Sequence, residues 1–180
     1  MKITETELTG LKIIEPRVFG DNRGWFFESF SERELNPGVA FVQDNHSFSA
    51  QKGTLRGLHY QRNPHAQSKI VRCTRGKILD VAVDIRKGSP NYKKWMALEL
   101  SAENFRQLFI PPGFAHGFVT LTDDVEIQYK ASDYYAPECD RSIKWNDPSI
   151  GVEWGITEPI LSAKDQNAPL LDESDCNFVY

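Results

Sequence analysis

The chain has 180 residues, 40% of them hydrophobic and 26% charged, with a formal net charge of -4 and a pI near 5.6. That length suits one domain with a real core, and the composition is that of an ordinary soluble protein. The acidic balance argues against a general nucleic-acid binder, although a local basic pocket for a small anion remains compatible with it.

Met1 to Glu7 has no apolar run of the signal-peptide kind. No apolar run approaches the roughly 18 residues of a membrane span. Cys73, Cys139 and Cys176 are widely spaced, odd in number and without a CxxC pair. That pattern fits free thiols in a reducing compartment better than a disulfide framework. The expectation is a cytoplasmic protein with neither membrane nor nucleic acid as partner.

In chain order, Gly24 to Phe30 is the first strand-like run. Ser31-Glu32-Arg33-Glu34 has capping-box spacing and opens a short helix that Asn36-Pro37-Gly38 should stop. Phe41 to Phe48 reads as a strand, and Thr54 to Gln61 as strand-like sequence with His59 after the bend at Gly57. Lys69 to Cys73 follows. Lys77 to Arg86 alternates strictly, with Leu79, Val81, Val83 and Ile85 on one face and Asp80 and Asp84 on the other. Gly76 precedes that run and Lys87-Gly88-Ser89-Pro90 turns out of it. Trp95 to Leu100 and Arg106 to Ile110 are further strands, separated by Ser101 to Asn104, at most one turn of helix. Pro111 to Phe118 forms a second glycine-bearing bend carrying His116, and Phe118 to Leu121 and Val125 to Tyr129 complete the strands. Many short strands with turn punctuation point to a sandwich, jelly roll or barrel. Residues 1–180 read as a single domain, with an irregular C-terminal segment from about Thr157 lying over it.

The two histidines raise a metal hypothesis. Pro111-x-Gly113-x-x-His116 has the spacing of the second cupin motif, and Gly53 to His59 stands where the first belongs. A metal cupin shows His-x-His and a nearby glutamate; here the second position is Gln61, and no glutamate follows until Glu99. A catalytic metal wants about three protein ligands, so the expectation is no metal. His46 and His65 read as hydrogen-bonded structural residues. His59 has different company. Arg56 suits bidentate phosphate contacts, Lys69 is a point charge suited to a developing oxyanion, and an imidazole is the ordinary general base. Residue types alone leave the catalytic and structural readings of His59 level.

Five collinear segments tip the reading. Asp21-x-Arg23-Gly24-x-Phe26-Phe27-Glu28, Leu55-Arg56-Gly57-Leu58-His59, Val81 to Arg86, Gly113 to Phe118 and Leu161-Ser162-Ala163-Lys164-Asp165 resemble the dTDP-4-dehydrorhamnose 3,5-epimerase family. The likeness runs from about Leu11 to Leu171. It implies an all-β, cupin-like double-stranded β-helix (a jelly roll) with short peripheral helices. It further implies a cofactor-free homodimer that epimerises C3 and C5 of a dTDP-4-keto sugar.

By the same resemblance His59 is the base, Asp165 its orienting partner, Tyr129 the opposing acid and Lys69 the holder of the C4 oxyanion. His116 and Asp80 line the pocket. Arg23 and Arg56 match pyrophosphate positions, and Phe26, Glu28, Gln43, Asn45 and Tyr135 match positions near the nucleotide. Lys164 matches a substrate contact, and Asp140 stands where the family commonly has glutamate. The Arg23 to Glu28 segment reaches the site of the partner subunit. Rival readings are a mono-epimerase acting at C3 or C5 alone, a ketoisomerase, a metal-dependent cupin oxygenase, and a non-catalytic sugar-binding module. Taken singly, Asp80 would be a solvent-facing strand residue, since alternation does not separate solvent from a polar lumen.

Overall fold

A computed structural model describes residues 1–35 and 38–180 of the protein. Among these, the strands in chain order are β1 (Lys2–Glu5), β2 (Lys12–Glu15), β3 (Val18–Asp21), β4 (Gly24–Phe27), β5 (Gln43–Ser49), β6 (Leu55–Gln61) and β7 (Lys69–Arg75). They continue with β8 (Lys77–Asp84), β9 (Trp95–Ser101), β10 (Gln107–Ile110), β11 (Phe114–Thr120), β12 (Val125–Ala131) and β13 (Asp140–Ser142). Two short helices, α1 (Glu32–Leu35) and α2 (Ala163–Gln166), and a 3₁₀ turn at Leu171–Glu173 are peripheral.

A six-stranded sheet in the order β1-β2-β10-β7-β12-β5 faces a five-stranded sheet in the order β13-β6-β11-β8-β9, while β3 and β4 form a separate hairpin. Alternation builds three apolar layers from these strands. Between the sheets lie Val71, Cys73, Ile78, Ala82, Leu108, Phe114, Phe118 and Ile127. The outer face of the five-stranded sheet (Leu55, Leu58, Tyr60, Val81, Val83, Ile85) is covered by Trp154, Leu171 and Phe178 of the C-terminal segment. The outer face of the six-stranded sheet packs Ile14, Ile70 and Phe109 under Leu35, Phe30 and Phe41. Each such fully buried Leu, Ile or Phe stabilises by about 1.5–3 kcal/mol relative to exposure.

The double burial of β8 decides between the two readings of Asp80. Its two faces alternate as the pattern requires, but both are enclosed, and Asp80 and Asp84 are each 0% exposed. Asp80 is therefore a lumen residue, not a solvent-facing one. Asp84 is held by Arg86, which donates through Nε and Nη2, and by the Ser89 hydroxyl at 2.7 Å. The departures from expectation concern ends. The first expected strand stops at Phe27, because the Ser29 carbonyl turns to accept from the buried Gln107 side chain. Strand β11 begins at Phe114, ahead of Phe118, and absorbs the second bend. The C-terminal segment, expected to be irregular, holds only α2 and the 3₁₀ turn as regular elements among the described residues. Strands β1, β2, β3 and β13 had no expectation attached. Helix α1 forms with Leu35 N–H donating to the Ser31 carbonyl; its expected stop at Asn36-Pro37 lies outside the described residues.

Two glycines bring the histidine strands together. A Cβ on Gly57 (φ 133°) would sit 2.5 Å from Gly117 Cα, and one on Gly117 would sit 2.8 Å from the Arg56 carbonyl oxygen. Only glycine permits so close a crossing. Here β6 bulges: His116 pairs with His59 while Phe118 pairs with Arg56, so two steps on β11 match three on β6. That extra residue turns Arg56 and His59 to the same inner face despite their odd spacing.

Candidate active site

At one end of the sandwich the inner face is polar instead of apolar. The five-stranded sheet contributes Arg56 and His59 from β6, His116 from β11, Asp80 from β8 and Asp140 from β13. The six-stranded sheet contributes Lys69 from β7, Tyr129 from β12, and Gln43 and Asn45 from β5.

His59 is about one-third exposed, and its Nε2 donates to Asp165 Oδ1 at 2.5 Å. That leaves Nδ1 as the basic nitrogen toward the lumen. Asp165 is 2% exposed and belongs to α2, whose N-cap is Ser162. The Ser162 hydroxyl accepts from the Asp165 N–H and donates to Asp165 Oδ2 at 2.9 Å, so both carboxylate oxygens are committed. Burial alone would raise the Asp165 carboxyl, but the bond to and charge of His59, with help from Ser162 and Lys164, hold it below the usual carboxylate range. An ionised, doubly anchored aspartate fixes one imidazole tautomer and stabilises the imidazolium that forms on proton uptake.

A second histidine–carboxylate pair lies beside the first. His116 Nε2 donates to Asp80 Oδ1 at 2.8 Å, and both residues are buried. Asp80 Oδ2 is a buried acceptor with no partner among the described residues. Across the lumen, burial pushes the Lys69 ammonium down to about 8, although Asp140 and Asp80 pull it upward. Its Nζ lies 5.8 Å from the centroid of the Tyr129 ring. Burial raises the Tyr129 phenol above its ordinary value, Asp140 adds to the rise and Arg56 opposes it.

The mouth is a polar network. Lys164 Nζ donates to Asp140 Oδ2 at 2.5 Å, and the Tyr135 hydroxyl reaches the same oxygen at 3.4 Å. The Tyr135 N–H donates to Gln43 Oε1, and Gln43 Nε2 donates to Asn45 Oδ1. The shorter Asp140 thus still meets both Lys164 and Tyr135. Arg56 donates to the Ser49 hydroxyl and the Phe48 carbonyl, leaving its charge without a carboxylate partner among these contacts.

Three expected binding residues lie elsewhere. Arg23, Phe26 and Glu28 belong to or follow the β3–β4 hairpin, where Phe26 is 70% exposed and Arg23 pairs with its neighbour Asp21 at 2.5 Å. The hairpin base packs Trp25 and Phe27 on Phe105, and Arg72, on the outer face of β7, lies over Phe27. These residues are therefore on the far side of the six-stranded sheet from His59. His46 meets Glu126 and His65 meets Asp133, both outside the constellation. Among the described residues no group of three or more His, Cys, Asp or Glu side chains is placed to hold a metal ion. Sequence reasoning missed Ser162, although Ser162-x-x-Asp165 carries the same capping signal recognised at Ser31. It also missed Ser142, which faces His59 from β13.

Comparison with known proteins gives the family. The family model described as dTDP-4-dehydrorhamnose 3,5-epimerase matches residues 5–173. The dTDP-4-dehydrorhamnose 3,5-epimerase of Salmonella typhimurium is 54% identical over 179 residues, covering 97% of each chain. A crystal structure of the Legionella pneumophila dTDP-6-deoxy-D-glucose-3,5-epimerase, in complex with dTDP-4-keto-L-rhamnose, superposes with a TM-score of 0.91. It is 47% identical and covers 97% of this chain and 94% of that one. The Bacillus anthracis dTDP-4-dehydrorhamnose 3,5-epimerase, with TDP and PPi bound, also gives a TM-score of 0.91. It is 48% identical, covering 94% of this chain and 98% of that one. The chain shares its cupin-like jelly roll with these structures.

Proposed function

The chain belongs to the dTDP-4-dehydrorhamnose 3,5-epimerase family, and from that premise we propose that His59 and Tyr129 perform its proton transfers. The enzyme is an isomerase of dTDP-L-rhamnose biosynthesis. It converts dTDP-4-dehydro-6-deoxy-D-glucose to dTDP-4-dehydro-L-rhamnose. The C4 carbonyl acidifies the hydrogens on C3 and C5. His59 Nδ1 takes one of them, and the electron pair moves onto the C4 oxygen as an enolate. Lys69 stabilises that oxygen at the moment its charge develops, in the lumen's low dielectric. Tyr129 then gives its proton to the same carbon from the opposite face, and the centre is inverted. Protons exchanged with solvent reset both groups before the second centre reacts. Atoms and electrons balance without an oxidant, so the reaction needs no nicotinamide.

One observation carries this reading: the imidazole with its aspartate and the buried phenol stand on opposite sheets across a single lumen, with an ammonium beside the phenol. Arg56, Gln43, Asn45, Tyr135, Asp140 and Lys164 form the nucleotide-side mouth, and His116 and Asp80 the wall beside His59. The direct test is solvent exchange. In deuterated water, without added metal, label enters both C3 and C5 of the substrate. Label at one carbon would select a mono-epimerase, movement of the carbonyl a ketoisomerase, and no label a binding module.

Lys69 gives a pH-dependent expectation. Only its charged form stabilises the enolate, so kcat/KM declines as pH rises past about 8. A lysine whose pKa folding depresses binds its proton less tightly folded than unfolded. Its destabilising contribution is therefore fully present below about 8 and fades between there and its unfolded value. Lys69→Met should lower kcat roughly 10²- to 10³-fold, flatten the alkaline limb and raise Tm by a few degrees at neutral pH, measured by kinetics and thermal melts.

Because the hairpin lies beyond the sheet, we place Arg23, Phe26 and Glu28 in the site of a second subunit. Its exposed Phe19, Trp25 and Phe26 favour such a partner. Mixing Arg23→Ala with His59→Asn protomers should restore activity, since one site of the heterodimer is then intact; an inactive mixture argues against sharing. Among the described residues no helix is long and apolar enough to cross a membrane. With three buried free thiols, we assign the protein to the cytoplasm.

A further inference from the structure

His59 has two cross-strand neighbours on the inner face: His116 on β11 and Ser142 on β13. The backbone fixes how close the second one comes. Leu58 and Ile143 exchange both of their hydrogen bonds, Leu58 N–H to the Ile143 carbonyl at 3.1 Å and the reverse at 2.8 Å. The next pair, His59 with Ser142, is therefore of the non-hydrogen-bonded kind, whose Cα atoms approach to about 4.5 Å with the side chains closest together. The Cβ of Ser142 cannot easily move away. Ile143, its neighbour in the chain, is 0% exposed in the core on the opposite face.

The Ser142 hydroxyl behaves unlike a working polar group. Ser142 is 8% exposed, and its Oγ is buried without a hydrogen-bond partner among the described residues. It is buried and makes no bond to His59 or Asp165 among the described residues. An orphaned buried hydroxyl costs stability, so the polar atom gives no reason for a serine here. The volume does. Any branched side chain at this position projects toward the imidazole on the closest type of cross-strand pair, and the imidazole must stay within 2.5 Å of Asp165.

We propose that Ser142 is a positioning residue for His59. Its small side chain forms the seat against which the imidazole rests while reaching Asp165, and its hydroxyl plays no part. This rests on the proposed role of His59 as base, but the seat itself can be probed without substrate. The sharpest readout is the NMR resonance of the His59 Nε2 proton shared with Asp165, recorded in the free enzyme.

A graded series tests it. Ser142→Ala should keep the exchange rate at C3 and C5 within about twofold of wild type, keep the resonance, and leave Tm equal or higher. Ser142→Thr and Ser142→Val suit a strand backbone yet add bulk toward the ring. They should lower kcat tenfold or more with little change in KM, and shift or abolish the resonance. If the valine variant does not fold, the threonine variant decides. A large loss in Ser142→Ala would overturn the proposal by showing that the hydroxyl works. So would a Ser142→Thr or Ser142→Val variant with wild-type rate and resonance. An inactive wild-type enzyme would sink the epimerase reading alone, while the resonance series would still judge the seat.

Discussion

Replacing His59 with asparagine stops deuterium entry at both C3 and C5, with a loss of about 10³- to 10⁴-fold, near the upper range for a positioned general base. Asparagine has similar reach and can still face Asp165, so the buried carboxylate keeps a donor and the fold survives. What disappears is the basic nitrogen. The same base is proposed for both carbons, so neither should retain label. The structure itself supplies the alternative that would contradict this. His116 and Asp80 form a second imidazole–carboxylate pair directly across the strand from His59. Persistent exchange at one carbon in the asparagine variant would assign that carbon to His116. A corresponding His116→Asn variant should leave exchange measurable at both carbons, because a wall residue contributes less than the base.

What could be read before the structure was known follows from the range of each interaction. The strands of the sandwich's central part were legible because a period of two is a local property, clear in Leu79, Val81 and Val83 on one face of β8 with Asp80 and Asp84 on the other, although Ile78 and Ala82 make that second face partly apolar. Strands β1, β2 and β3 are four residues each, too short to establish a period; β4 and β10 are as short but carry consecutive aromatic or apolar residues, Trp25 to Phe27 and Leu108 to Ile110, that mark them as strands. The partner of His59 lies 106 residues away, so no local pattern joins them; a family likeness was needed to pair them. Likewise Asp80 looks identical in sequence whether it faces water or a sealed lumen. Arg56 and His59 share a face only because of the bulge at Gly57, and alternation alone would set them apart. The hairpin shows why one chain does not make a whole site: Arg23, Phe26 and Glu28 carry the family pattern, which the resemblance directs to a partner's site, and within their own chain they stand behind the sheet.

Tyr129→Phe should separate the two halves of the reaction. Burial raises the phenol, so Tyr129 remains protonated throughout the neutral range and can act only as a donor at the start of the cycle. Removing its hydroxyl leaves His59, Asp165 and Lys69 untouched, and the phenyl ring still fills the space beneath the Lys69 ammonium. Proton abstraction therefore continues, and His59 returns a solvent-derived deuteron to the face from which it took the proton. The expected outcome is label at C3 and C5 with configuration retained, while net inversion falls about 10²- to 10⁴-fold. The loss should appear in kcat with KM little changed, since the hydroxyl acts on the enolate and not on bound substrate. Following label and configuration in one NMR time course gives the ratio of exchange to inversion directly. An unchanged ratio would mean that water, not Tyr129, protonates the ring from the six-stranded sheet. Loss of exchange together with inversion would mean that the phenol also holds the enolate, joining Lys69 in that role.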